Sequence, residues 1–271
     1  MKKTLIIATA ALISASAFAQ SVSSANIVGY VKVDKPGGGD LSIVGVSFTT
    51  ENQTLSSLLP NENFSGSYTS FTMADQISVW SASNQTYTTY AFFSYLPDYP
   101  AYASYDGWQE LAKFGTAEYA DPVIPAGSAF WLRGSQATDT NVTMAGDVPT
   151  EETSAPIDIT TGLQHLANPF SSDITLGECG FAAKGSFTSF TDADQISVWD
   201  PSTQTYKTYA FFSYLPTYPA YASYDGWQEL AKFGTIEYAD DVSIPMGYGF
   251  WYRAQADSTW TVSNKYYSAI Q

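Results

Sequence analysis

Apolar and β-branched residues come along this chain in short runs broken by Gly, Pro, Asn and Asp, a pattern of strands and turns. Asn26 to Val33 alternates apolar and polar positions and reads as a strand, and Leu41 to Phe48 reads as a second. Gln195–Trp199 and Gln204–Tyr209 flank Asp200-Pro201-Ser202-Thr203, a hairpin signal. The Asp carboxylate there accepts a backbone bond, and Pro presets the next dihedral. Ile124-Pro125-Ala126-Gly127 spaces Pro and Gly for a type I turn into an apolar strand, Ala129–Leu132. Asn141–Ala145 and Thr259–Ser263 are expected to be closing strands. Helical signals are confined to Thr54–Leu59 and Gly107–Phe114, a turn or two each. The predicted class is all-β.

The same pattern occurs twice. Residues 70–116 return almost unchanged as 189–235, and Thr89–Thr116 matches Thr208–Thr235 except that Asp98 becomes Thr217. Outside this block Leu41–Phe48 aligns with Leu163–Phe170, and Ile124–Arg133 with Ile244–Arg253. A copy of this kind implies two equivalent modules, so any site should be present twice. The expected layout is a signal peptide over 1–19, β module 1 over 20–149 and β module 2 over 150–271. Each module is expected to fold by itself as a small antiparallel sandwich or barrel of five to seven strands. The boundary falls in the acidic, Pro-containing stretch Asp147–Ser154.

The opening residues fit export. Lys2 and Lys3 precede an apolar stretch, Leu5–Ala15, and the small-x-small site Ala17-Phe18-Ala19, which implies a secreted or cell-surface protein. The apolar stretch is too short to span a bilayer, which needs about 20 residues. The formal net charge of -15 becomes about -17 once Lys2 and Lys3 are removed, which excludes binding of nucleic acid through its phosphates. Cys179 is the only cysteine, so no intramolecular disulfide forms.

Leu-x-x-Leu-Ala-Asn-Pro-Phe at 163–170, Ile-Ser-Val-Trp-Asp at 196–200, Thr-Tyr-Lys-Thr-Tyr at 205–209 and Ile-Pro-x-Gly-x-Gly-Phe-Trp at 244–251 follow one another in module 2. In this order they resemble secreted β-rich tandem-module proteins of Gram-negative bacteria, as does the mature start Ser24–Tyr30. Module 1 departs from the pattern, with Gly45-Val46-Ser47-Phe48 for Ala-Asn-Pro-Phe and Ser81 for the Asp after Trp. The resemblance implies an exported surface or extracellular protein and transfers no catalytic residue.

Candidate chemistry is sparse. There is no Gly-x-Ser-x-Gly elbow, His-Glu-x-x-His motif or phosphate-binding loop. His165, the single histidine, lies in a predicted strand where module 1 has Ile43, and reads as packing. Asp106 and Glu110, copied as Asp225 and Glu229, would share a helical face, but Asp-Gly reads first as a turn. Arg133 and Arg253 are the only arginines, placed identically after Phe-Trp-x, where each is expected to pin a carboxylate or stack on a ring. No cofactor is expected. Asp192, Asp194, Asp240 and Asp241 are weak calcium candidates, with solvated acidic loops as the default.

The candidate contact surface is the aromatic loop carrying Tyr95, Tyr99, Tyr102, Tyr105 and Trp108, with its twin carrying Tyr214, Tyr218, Tyr221, Tyr224 and Trp227. The default for these tyrosines is a cap over their own core; as a contact surface such rings suit self-association or the stacking of a surface polysaccharide. The leading expectation is a non-enzymatic structural or adhesive protein, with a variant in which residues 26–33 complete a neighbour's sheet. A carbohydrate-binding protein is the alternative. An outer-membrane barrel fits the Pro-rich loops poorly.

Overall fold

The alternation first seen at residues 26–33 becomes strand β1 (Val28–Lys35), in which Val31, Val33 and Lys35 are buried and their neighbours face outward. The computed structural model describes residues 27–270, so the expected signal segment and its cleavage site lie outside the described residues. β1 pairs over its whole length with β7 (Thr140–Asp147), from Val28 opposite Asp147 to Lys35 opposite Thr140.

Two five-stranded antiparallel sheets follow the repeat. The first joins β2 (Leu41–Gly45), β3 (Gln76–Ser81), β4 (Thr86–Phe93), β5 (Gly107–Glu110) and β6 (Ala129–Arg133) in the order β2-β6-β3-β4-β5. The second joins β9 (Gly162–Ala167), β11 (Gln195–Asp200), β12 (Thr205–Phe212), β13 (Gly226–Glu229) and β15 (Gly249–Ala254) in the matching order β9-β15-β11-β12-β13. Registers agree as well. Ile77 faces Tyr90 as Ile196 faces Tyr209, and Gln76 faces Arg133 as Gln195 faces Arg253. A short ribbon of β8 (Ile157–Ile159) and β16 (Ser258–Trp260) stands where the first half has β1 and β7, and β10 (Ile174–Thr175) pairs with β14 (Ser243–Ile244).

Strand periodicity sorts side chains into layers. In β6, Phe130 and Leu132 join Val31, Val33, Val142 and Met144 of the β1-β7 ribbon in one core, while Ala129 and Trp131 point to the other sheet. In β15, Phe250, Tyr252 and Ala254 pack with Ile159, Trp260 and Cys179, while Trp251 faces back. The layers therefore run ribbon, sheet, sheet, ribbon.

The halves interlock, which the expectation of self-sufficient modules does not include. Trp80 meets Trp251 edge to face at 5.0 Å, and Trp131 meets Trp199 at 5.0 Å in the same geometry. Trp80 Nε1 donates to Leu163 O and Trp199 Nε1 to Leu41 O, each at 2.8 Å. Gln85 and Gln204, at the hairpin tips with φ of 50° and 53°, hold their amides against the backbone of Leu163 and Leu41. A left-handed glutamine costs about 1 kcal/mol or more. Here it aims a side chain that pairs with the other half as a strand edge would. Gly45 and Gly249 allow the close approach: a Cβ at Gly249 would fall 2.3 Å from Ala129 Cβ, and one at Gly45 2.6 Å from Ala167 Cβ.

Two local expectations hold and two change. Thr54–Leu59 does yield helix α1 (Leu55–Leu58), held by Asp121, whose carboxylate accepts from Ser56 N at 2.8 Å and Ser56 Oγ at 2.6 Å. Gly107–Phe114 is instead strand β5 followed by a 3-10 turn at Leu111–Lys113, because its residues pair with β4 from Phe93 to Tyr90. Long-range pairing overrides a weak helical signal. The turn before β6 begins one residue later than expected. Ser128 N donates to Pro125 O at 3.1 Å, and Gly127, at φ 85°, takes the third position of a type II turn. The Asp200 turn forms as read, its carboxylate accepting from Ser202 N at 2.9 Å.

Candidate functional site: the tyrosine loops

The loop between β4 and β5 is built around Asp106. Its carboxylate accepts from Ser94 Oγ at 2.7 Å and from Tyr95 N at 2.9 Å, closing both ends of the loop onto one side chain. Asp225 repeats this with Ser213 Oγ at 2.7 Å and Tyr214 N at 2.9 Å. Between the ends Tyr99 N donates to Tyr95 O and Tyr102 N to Tyr99 O, and a 3-10 segment runs over Pro100–Tyr105. Tyr119 OH donates to Tyr105 O, and Tyr238 OH to Tyr224 O, pinning the far end from outside.

This scaffold turns tyrosines outward. Tyr99, Tyr102 and Tyr105 are 49%, 52% and 55% exposed, and Tyr218, Tyr221 and Tyr224 are 48%, 52% and 50% exposed. Tyr95 and Tyr214 are half-buried at the base, stacked on Tyr68 at 5.4 Å and on Phe187 at 5.6 Å respectively. Neighbouring rings lie 5.4 to 6.5 Å apart, tilted at 40° to 83° in the first loop. Leu96 and Leu215, which the sequence reading did not single out, are 45% and 44% exposed beside them.

Trp108 and Trp227 do not belong to this surface. They are 2% and 4% exposed, on strands β5 and β13. Trp108 meets Phe64 at 4.8 Å and Phe92 at 5.3 Å, and Trp227 meets Phe211 at 5.3 Å. Strand pairing with β4 and β12 turns these indoles inward, so the contact surface is tyrosine and leucine.

The carboxylate candidates for chemistry are otherwise engaged. Asp106 and Asp225 close the loops, and Glu110 and Glu229 end strands instead of sharing a helical face with them. Lys113 pairs with Glu118 at 2.6 Å. Among the calcium candidates, Asp194 is buried and accepts from Lys184 N, Tyr252 OH and Gln255 N at 2.6 to 2.8 Å. Asp240 accepts from Trp227 N at 2.9 Å, and Asp192 ends a 3-10 turn. Among the described residues no group of three or more His, Cys, Asp or Glu is placed to hold a metal ion. Asp75, the counterpart of Asp194, is buried against Lys35 Nζ at 2.5 Å.

His165 is buried at the seam between the sheets, stacked on Trp251 at 4.4 Å and 13°. Neither ring nitrogen has a hydrogen-bond partner among the described residues, and burial pushes its pKa down to about 3. Cys179 is fully buried in the second core, where burial, with Glu178 nearby, pushes its thiol up to about 12. Among the described residues neither arginine makes an ion pair or a cation–π contact, contrary to the expectation for Arg133 and Arg253. Arg133 instead lies along Gly39, where a Cβ would come within 2.8 Å of its guanidinium. No helix among the described residues is long and apolar enough to cross a membrane.

No protein-family model, curated protein or solved structure matches the chain.

Proposed function

We propose that this is a non-enzymatic contact protein of the cell exterior, two tandem copies of one β module, whose tyrosine loops bind protein surface, another copy of the chain first among them. The observation that carries this reading is the exposed tyrosine row built twice on the same Asp-closed scaffold. Tyrosine offers a large apolar face at low entropy cost and keeps a hydroxyl wet, the chemistry of interface anchors.

Charge points the same way. The chain is strongly acidic, so two copies repel one another. From Ser94 to Asp106 the charged residues are Asp98 and Asp106 alone, and in the twin Asp225 alone. Copies meeting through the loops meet where that repulsion is weakest. The tilted rings also offer no coplanar floor for a sugar, which favours protein over polysaccharide. β1 is paired along its whole length within its own chain, so lending it to a neighbour's sheet would forfeit that pairing. The loops ask for no such exchange.

The test is sedimentation of the mature chain over a range of concentrations and salt. Association is expected to strengthen as salt screens the acidic surfaces. It should drop at least tenfold when Tyr99, Tyr102 and Tyr105 become serine together with Tyr218, Tyr221 and Tyr224. A monomer at every concentration, or saturable glycan binding abolished by the same changes, would overturn the reading.

A further inference from the structure

The two sheets meet along two seams of matching design. At one, the turn Pro245–Tyr248 reaches over the first half: Gly45 N donates to Gly247 O at 2.8 Å, and Tyr248 bridges Val44. Met246 and Tyr248 pack into the core that holds Val31 and Val33 of β1, and Tyr248 OH donates to Asp34 Oδ2 at 2.9 Å. At the other, the turn Pro125–Ser128 reaches over the second half: Ala167 N donates to Gly127 O at 2.8 Å, and Ser128 bridges Leu166. Gly127 lies against Ile157 of β8 as Gly247 lies against Val33 of β1.

The side chains that fill the first seam are missing from the second. Ala126 stands where the repeat has Met246, and Ser128 where it has Tyr248. The ribbon strand is also shorter, three residues in β8 against eight in β1, with Pro156 immediately before it. A cavity of about 750 Å³ results, lined by Ala126, Ile157, Leu166, Pro169 and Phe170 among others, with Glu151 as its one charged lining residue. Pockets that hold small molecules span roughly 300–1,000 Å³ and are mostly apolar.

We infer that this cavity binds a neutral or cationic small molecule with an apolar, ring-sized body, seated where Met246 and Tyr248 sit at the other seam. The twin seam shows the chemistry the space accepts: an aliphatic chain beside an aromatic ring with one hydroxyl. Glu151 and the acidic chain as a whole disfavour an anion.

The test uses N-phenyl-1-naphthylamine, a neutral dye that brightens in apolar surroundings, titrated into the mature chain. One saturable site is expected, weakened at least tenfold in the double variant Ala126→Met, Ser128→Tyr, which copies the filled seam. The single Ala126→Leu change serves as a second filler if the double variant does not fold. Serine at Tyr99, Tyr102 and Tyr105 should leave binding unchanged, separating this site from the loops. The sulfonated analogue 1-anilinonaphthalene-8-sulfonate should bind at least tenfold more weakly. No saturable signal up to the dye's solubility, binding undiminished by the fillers, loss of binding on changing the loops, or equal affinity for the sulfonate would overturn the inference.

Discussion

Replacing His165 by isoleucine, the residue its counterpart Ile43 already supplies, should stabilise the fold, and do so more strongly in acid. The ring is enclosed between the sheets, stacked on Trp251, with both nitrogens unpartnered among the described residues. Burial lowers its pKa from 6.5 to about 3. Between those values the unfolded chain holds a proton on this ring and the folded chain does not. Unfolding therefore takes up a proton, and stability falls as pH drops below 6.5. At about 1.4 kcal/mol per pH unit, the loss reaches about 2 kcal/mol at pH 5 and stays near zero at pH 7. An unpartnered buried polar group costs a further 1–3 kcal/mol or so at any pH, partly offset by about 1 kcal/mol of stacking on Trp251. His165→Ile should accordingly gain about 1 kcal/mol at pH 7 and about 3 kcal/mol at pH 5. Urea unfolding followed by tryptophan fluorescence at pH 7, 6 and 5 measures the difference directly. Taking wild type against variant cancels the other titrating groups common to both. A difference that stays constant from pH 7 to pH 5 would refute the buried, neutral imidazole.

The seam and the second core each have testable consequences. Trp251→Ala removes a ring packed against Trp80 and His165 and should cost about 3–5 kcal/mol. Because the sheets share that layer, heating should still give one transition for the whole chain, and calorimetry showing the halves melting separately would count against the interlock. Cys179, buried with its thiol raised to about 12, should react with a disulfide reagent at pH 8 only as fast as the protein unfolds, so rapid labelling of native protein would contradict its placement.

Local chemistry alone determined much of this protein. Alternation in Asn26–Val33 and the Asp200-Pro201 turn foretold antiparallel strands, because side-chain period and turn propensity act over a few residues. The tyrosine loops were also legible, as long aromatic connections repeated almost residue for residue. Tertiary structure decided which aromatic rings reach solvent. Trp108 and the loop tyrosines look alike in sequence, yet pairing of β5 with β4 turns the indole inward while Asp106 closes the loop with its tyrosines outside. It also decided the seam between the halves. A strand covered on both faces carries apolar residues on each, and nothing local says which neighbour covers which face. Only the folded chain sets Trp80 on Trp251, holds Gln85 against Leu163, and leaves Ala126 facing a cavity where Met246 fills the matching space.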